Sequence, residues 1–367
     1  MSIVHIKLDD RSYDIHIGRG VLSDAGALIS KACKAKSALV VTNKRIGELY
    51  SDGIVQSLES AGIAAHVMIV PAGERYKTLR TVAAIYEKAL DCRLDRSSLM
   101  IGLGGGIVGD MTGFAAATFL RGIEFVQIPT SLLAQVDASI GGKTGVNLSR
   151  GKNLVGSFHQ PKLVLIDTGV LRTLPRREFR SGLAEIIKHG IIRDIDYFKF
   201  LEANLDLILG MDDSILERTI ERSCEIKAEV VGQDERESGL RRILNYGHTV
   251  AHAVERLTHY RTYKHGEAVS IGMVSVAFIA RELGNAESDL VGRIVELIRR
   301  SGLPYALPAD ISVQDIVSAM GFDKKVSQGR LHAVLANSIG DAFVESDIAP
   351  EVWVKALEAQ RKAYPAG

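Results

Sequence analysis

Over the first half of the chain short apolar runs alternate with helical periods, and over the second half the runs all but disappear; this change of texture constrains the fold more than any other feature. Residues 38–42, 64–70, 99–103, 125–128 and 163–166 are nearly unbroken in apolar side chains and end in turn formers. Strands of this kind are buried on both faces, as in a mostly parallel sheet. Helical periods lie between them. One covers residues 77–90 and puts Leu79, Val82, Ile85, Tyr86 and Ala89 on one face. The alternation predicts an α/β, Rossmann-like domain with helices on both faces of its sheet. Ahead of it, residues 3–8 and 13–17 alternate apolar with polar around Asp9-Asp10 and predict a hairpin.

Past residue 175 the spacing predicts helices over 181–192, 213–231, 243–257, 267–283 and 286–300. A late hairpin is expected from 331–336 and 342–345, with a closing helix over 351–362. Two domains follow: an α/β domain over 1–174 and a mainly α-helical one over 175–367. A net charge of +1 gives no global reason to expect nucleic acid or membrane as a partner, so affinity for anions has to come from local clusters. Cys33, Cys92 and Cys224 are odd in number and far apart, which implies no disulfide framework. The N-terminus has no signal-peptide pattern and no apolar run is long, so a reduced, cytoplasmic setting is expected.

Two glycine-rich segments bear on function. Gly104-Gly105-Gly106-Ile107-Val108-Gly109 satisfies G-x-G-x-x-G directly after an apolar strand. Glycines there let backbone N–H groups approach a pyrophosphate at a helix N-terminus. A plain tight turn is the other reading, because the acid that usually ends the next strand is missing and Glu124 precedes that strand instead. Asp110, just after the glycines, is the additional clue. Gly142-Lys143-Thr144 imitates the end of a P-loop, but Asp137 stands where the motif needs glycine, so a nucleotide-triphosphatase site is excluded. Lys143 still belongs to a Gly- and Asp-bearing stretch, 137–147, suited to polar ligands.

The helical half holds candidate metal ligands. Five of the ten histidines fall between residues 189 and 265. His248 and His252, at i and i+4, share a helix face. His265 opens another helix, and Glu185 interrupts an otherwise apolar helix. Two imidazoles and a carboxylate with an open fourth position make a common catalytic zinc set. Spacing favours His248 with His252 as the histidine pair; taken singly, each histidine reads equally well as a hydrogen-bonded core or surface group.

These segments together resemble the 3-dehydroquinate synthase family of the sugar phosphate cyclases, along nearly the whole chain. The resemblance is carried by Pro71-Ala72-Gly73-Glu74-Arg75-Tyr76-Lys77, the run 104–110, Arg121-Gly122, Pro129-Thr130-Ser131-Leu132-Leu133-Ala134-Gln135-Val136-Asp137 and Gly141-Gly142-Lys143-Thr144-Gly145-Val146-Asn147. It continues through Gly151-Lys152-Asn153, Thr173-Leu174-Pro175, Ala184-Glu185-Ile186-Ile187-Lys188, Asn245-Tyr246-Gly247-His248, Ala251-His252-Ala253, His265-Gly266-Glu267 and Asp323-Lys324-Lys325. Ala72 and Ser131 depart from the residues more usual in the family.

The resemblance implies an NAD- and metal-dependent lyase that closes 3-deoxy-D-arabino-heptulosonate 7-phosphate into 3-dehydroquinate, in the shikimate route to aromatic amino acids, as a homodimer. It carries over Glu185, His248 and His265 as ligands of a divalent metal, zinc or else cobalt, and moves His252 to the substrate pocket. NAD contacts carried over are Asn43, Gly73, Glu74, Lys77, Gly105, Gly106, Val108, Gly109, Asp110, Thr130, Ser131, Lys143, Lys152, Asn153, Leu171, Thr173 and Glu178. Substrate positions are Arg121, Asp137, Lys143, Lys188, Lys227, Arg241, Asn245, His252 and Lys324; Asp137, Asn245 and His252 would handle protons while the cations clamp phosphate and carboxylate. Rival readings are a related sugar-phosphate cyclase, a metal-dependent polyol dehydrogenase, or a non-catalytic NAD-binding regulator.

Overall fold

The predicted apolar runs become strands of one sheet. The computed structural model describes residues 1–321 and 331–366. The chain enters as an antiparallel hairpin, β1 (Ser2–Ile6) and β2 (Tyr13–Ile17). It then runs α1 (Ala25–Ala32), β3 (Ser37–Asn43), α2 (Lys44–Ser60), β4 (Ala64–Val70), α3 (Leu79–Asp91), β5 (Leu99–Gly104), α4 (Gly106–Thr118) and β6 (Glu124–Pro129). A second hairpin, β7 (Lys143–Leu148) and β8 (Gly151–Phe158), precedes β9 (Leu163–Ile166).

The main sheet has the order β1-β2-β9-β6-β5-β3-β4, and only the β1–β2 pair is antiparallel. Its central strands β3, β5, β6 and β9 are buried at nearly every position because both faces are covered. Ala38 and Val40 pack with Ile29, Ile54 and Leu58 of α1 and α2, while Leu39 and Val41 pack with Val82, Ile85, Met111 and Phe114 of α3 and α4. From β3 the chain moves outward to β4, then crosses back to β5 on the other side. Ligands of such sheets bind where the order reverses, outside the carboxyl ends of the strands. Here those ends are Asn43 and Gly104.

Two compact units divide the chain, Met1–Leu174 with Leu216–Arg236, and Pro175–Ile215 with Glu237–Gly367. One cut after residue 174 is the expectation from sequence; the chain also returns most of a long helix to the first unit. Elements after the cut are α5 (Arg176–Arg193), α6 (Ile195–Leu209), α7 (Asp213–Gln233), α8 (His248–Leu257), α9 (His265–Glu282), α10 (Leu290–Arg300), α11 (Val313–Met320), β10 (Leu331–Ser338), β11 (Asp341–Ile348) and α12 (Pro350–Ala363). Helix α9 is the axis of the second unit. It packs against α5, α8, α10, α12 and β10, and it is apolar around most of its girth because most of its girth is buried.

Local chemistry moves several boundaries. Thr78 caps α3 by accepting from Thr81 N at 3.3 Å, so that helix begins at Leu79 and not at Lys77. The helix expected over 243–257 is cut to α8: Leu240–Asn245 is a 3-10 turn, and Gly247, at φ 79°, takes the left-handed conformation that only glycine adopts cheaply. Helices α6 and α11 and the β7–β8 hairpin are additions to the expected elements.

Opposite sides of α2 give a check on this packing. Leu58 is fully buried, whereas a Cβ at exposed Gly53 would meet nothing within 4 Å. Leu58→Ala should cost about 2–5 kcal/mol in urea unfolding, and Gly53→Ala should raise stability by roughly 0.5–1 kcal/mol.

Candidate active site

At the carboxyl end of β5, Gly105 starts α4 with no side-chain cap, leaving the first N–H groups of a buried helix for an anion. A Cβ on Gly109 would come within 2.4 Å of the Gln127 side chain of β6, so this glycine lets the helix lie close on the sheet. Val108 packs over Gly104, and Thr130 N donates to Gly104 O at 2.9 Å, which fixes the β6 exit beside the glycine turn. Ser131 Oγ would sit 3.4 Å from a Cβ at Gly105.

One turn into α4, Asp110 accepts from Lys77 Nζ at 2.5 Å, and the same ammonium donates to Asn153 Oδ1 at 2.5 Å. Lys77 is 4% exposed. Burial pushes the Asp110 carboxyl up from the usual carboxylate range, while Lys77 pulls the other way. Asn153, at φ 52°, donates its N–H to Asn147 Oδ1 at 2.9 Å, and Asn147 Nδ2 donates to Glu74 Oε1 at 2.7 Å. Glu74, Lys77, Asp110, Asn147 and Asn153 thus belong to one hydrogen-bonded corner, Gly73 directly precedes Glu74, and half-buried Lys152 precedes Asn153 on β8. An uncapped helix N-terminus beside a glycine turn and a buried cation fits a dinucleotide's pyrophosphate.

Asn43 caps α2, accepting from Ile46 N at 3.1 Å, and lines an open hollow with Arg45, Glu48, Ile69 and Val70. Thr173 bonds Tyr50 Oη at 2.7 Å, beside buried Leu171. Glu178 lies on the first turn of α5 in the second unit, paired with Lys264 at 2.7 Å.

Asp137 sits in a π-helical turn, Ala134–Ala138, a distortion common at functional sites. Lys227, reaching in from α7, donates to Asp137 Oδ1 at 2.5 Å and to its carbonyl at 2.6 Å. Lys143 is exposed at the start of β7. Arg121 is not brought to this edge. It follows α4 at the opposite end of the sheet, where β6 begins pairing at Leu99↔Glu124, five register positions from Gly104↔Pro129, about 16 Å of strand. Leu120, Arg121 and Gly122 are all left-handed there, at φ 50°, 70° and 119°.

In the second unit Glu185, His248 and His265 converge. Glu185 Oε1 is 3.8 Å from His248 Nε2 and 3.7 Å from His265 Nε2, and one ligand atom from each residue lies within 4.8 Å of the others. Glu185 is fully buried and its oxygens accept no hydrogen bond among the described residues; Lys188, one turn on, makes an ion pair with Oε2. His248 Nδ1 lies 3.3 Å from Tyr246 O and His265 Nδ1 3.5 Å from Glu255 Oε1. With both Nδ1 atoms engaged, Nε2 is the nitrogen each ring presents. Three acceptor atoms facing one point, one of them an unsatisfied buried carboxylate, fit a divalent cation.

Close helix crossings hold the three side chains together. A Cβ on Gly266, next to His265, would fall 1.9 Å from Ser181 O on α5, one turn before Glu185; a Cβ on Gly272 would fall 2.0 Å from Gly247 O, next to His248. Gly266 N donates to Ser181 Oγ at 3.0 Å. Arg177 grips Glu267 through two bonds of 2.6 and 2.7 Å and so fixes the first turn of α9.

His252 is outside the triad, its ring edge-on to His248 at 5.6 Å between centroids. Asn245 donates Nδ2 to Glu237 Oε1 at 2.5 Å, and Arg241 is 2% exposed. Lys324 lies outside the described residues, as do Asp323 and Lys325. Glu237, Glu255, Arg177 and Glu267 escape the sequence reading. For Glu255 a signal is present: it stands at i+7 from His248, on the histidine-bearing face.

His265→Ala and Glu185→Gln should each abolish retention of metal through gel filtration, whereas His252→Ala should keep it. Elemental analysis of the three variants decides between the triad and the i, i+4 pair.

Comparison with known proteins places these features in a family. The 3-dehydroquinate synthase N-terminal domain matches residues 67–181, and the C-terminal domain of the same enzyme matches 182–326. A 3-dehydroquinate synthase of a Synechococcus species is 52% identical over 360 residues, 97% of this chain and 98% of its own length; one of Desulforamulus reducens is 48% identical over 95% and 97%. Among solved structures, a 2-deoxy-scyllo-inosose synthase complexed with carbaglucose-6-phosphate, NAD+ and Co2+ superposes with a TM-score of 0.88 at 25% identity, covering 98% of this chain and 100% of that one. A 2-epi-5-epi-valiolone synthase from Streptomyces hygroscopicus with NAD+ and Zn2+ bound gives 0.88 at 28%, covering 98% and 99%. A probable glycerol dehydrogenase from Sinorhizobium meliloti, at 0.64 and 14% over 95% and 96%, shares the fold alone. By its sequence over nearly the full length, the chain belongs to the 3-dehydroquinate synthase family.

Proposed function

We propose that this chain carries out the reaction of its family, turning 3-deoxy-D-arabino-heptulosonate 7-phosphate into 3-dehydroquinate and phosphate. The reaction runs through transient oxidation, β-elimination of phosphate, re-reduction, ring opening and aldol closure. The observation that carries the proposal is the convergence of Glu185 Oε1 with the Nε2 atoms of His248 and His265. The chemistry supplied by the bound groups is hydride uptake and return by NAD and Lewis-acid polarisation by a divalent metal, zinc or cobalt. NAD+ with Co2+ or Zn2+ in the two cyclase structures supports this assignment.

The chain's own residues do the rest. Glu185, His248 and His265 hold the cation. The glycine turn, Ser131, Lys77, Asp110, Lys152 and Asn153 hold the nucleotide. Lys227 holds and aims the Asp137 carboxylate, so Asp137 can take and return a proton. Glu237 takes Nδ2 of Asn245 and leaves Oδ1 to accept from a substrate hydroxyl. His252, half-buried beside His248, is a third proton-handling group. Lys143, Lys188, Arg241 and Lys324 counter the phosphate and carboxylate; Arg121, at the opposite end of the sheet, takes no part in this clamp. Among the described residues no helix is long and apolar enough to cross a membrane. The working form proposed is a cytoplasmic homodimer, and light scattering of the purified chain checks its mass.

Phosphate release from the heptulosonate phosphate should require both NAD and metal, stop with a chelator, and leave no lasting absorbance at the nicotinamide wavelength. Lasting NADH would point to a dehydrogenase instead. Arg241→Ala removes a buried cation and should weaken substrate binding by at least about 30-fold, since truncating such a charge costs about 2–5 kcal/mol, with NAD affinity unchanged in a parallel titration.

A further inference from the structure

We propose that Glu255 is the positioning residue of the cation site, holding His265 by Nδ1 so that Nε2 faces Glu185. The inference rests on reading Glu185, His248 and His265 as ligands, and names a residue that reading leaves out. Glu255 lies on α8 at i+7 from His248 and i+3 from His252, so three polar side chains share one face of a helix whose Val250, Ala251 and Val254 are core. Its exposure is 5%. A carboxylate buried to that degree costs several kcal/mol unless charge or hydrogen bonds offset it, so a helix that merely needed packing would carry an apolar residue there.

The geometry supplies the reason. Glu255 Oε1 is 3.5 Å from His265 Nδ1, and on the other side of the same ring Nε2 is 3.7 Å from Glu185 Oε1. The imidazole is bridged between two carboxylates. With its proton on Nδ1, facing Glu255, the ring has its lone pair on Nε2. His248 reaches the same tautomer by a different means, through the Tyr246 carbonyl. A carboxylate does more than a carbonyl: it adds negative charge near a dication, beside a Glu185 whose own charge is partly spent on Lys188. The backbone fixes Glu255 as well. Its carbonyl accepts from Tyr260 N at 2.7 Å and Thr258 Oγ1 at 3.3 Å, closing the end of α8 through left-handed His259 and Tyr260.

The test uses full-length apo protein and Zn2+ alone, with dissociation constants from competition against a chromophoric chelator and the visible spectrum of the Co2+ form. Glu255→Ala should weaken Zn2+ about 10- to 100-fold. Glu255→Gln keeps an acceptor oxygen without the charge and should fall between it and the parent. Both should shift the Co2+ bands, which a purely structural role would leave in place. Parent-like affinity and spectrum in Glu255→Gln overturn the proposal, and that variant decides alone should the alanine form not fold. His265→Ala separates the two levels: parent-like Zn2+ binding there removes the cation site itself, while lost binding there with parent-like Glu255→Gln removes Glu255 only.

Discussion

A fully buried carboxylate on an otherwise apolar helix is the constraint on which the second unit depends. Glu185 gives up its hydration inside α5, and Lys188 one turn away offsets only one of its two oxygens. Such a group is tolerated when something positive is held against it, and the two Nε2 atoms nearest to Oε1 are lone-pair donors that need the same partner. The requirement reaches into the backbone. Histidines from α8 and α9 come this close to α5 only because those helices cross at glycines, Gly266 on Ser181 and Gly272 on Gly247. Stability and function ask opposite things of these positions. Larger residues would bury more apolar area, and would also push Glu185, His248 and His265 apart.

That geometry explains what could be read from the sequence and what could not. Period and composition report on one element at a time. They locate the central strands of the main sheet, since a strand covered on both faces is apolar at nearly every position, and they find α9 for the same reason. They show that His248 and His252 share a face, and here they mislead. Which histidine completes the site is set by the crossing of α8 with α9, a long-range fact outside any helical period. His265 is placed with Glu185 and His248 by resemblance and then by coordinates, and His252 is left as a neighbour. The β7–β8 hairpin goes unseen because its glycines and lysines read as a loop. Its strands are held from outside, by Asn147 N donating to Lys77 O at 2.8 Å and by the Glu74–Asn147–Asn153 chain. The truncation of α8 is legible only with φ at Gly247 in hand, since the apolar spacing runs on across it.

Three buried lysines follow one pattern. Lys77 is paired with Asp110, Lys227 with Asp137 and Lys188 with Glu185. In a chain of net charge +1, any local field for an anionic ligand has to be built from such groups, yet isolated cations in the interior would each cost several kcal/mol. Pairing each one with an acid solves the folding problem and sets the terms of binding. A phosphate or carboxylate arriving at Lys227 or Lys188 competes with an acid already in place, so it gains from the cation only what that acid yields. For Asp137, seated in a π-helical turn and held through both side chain and carbonyl by one lysine, that competition is against two bonds at once.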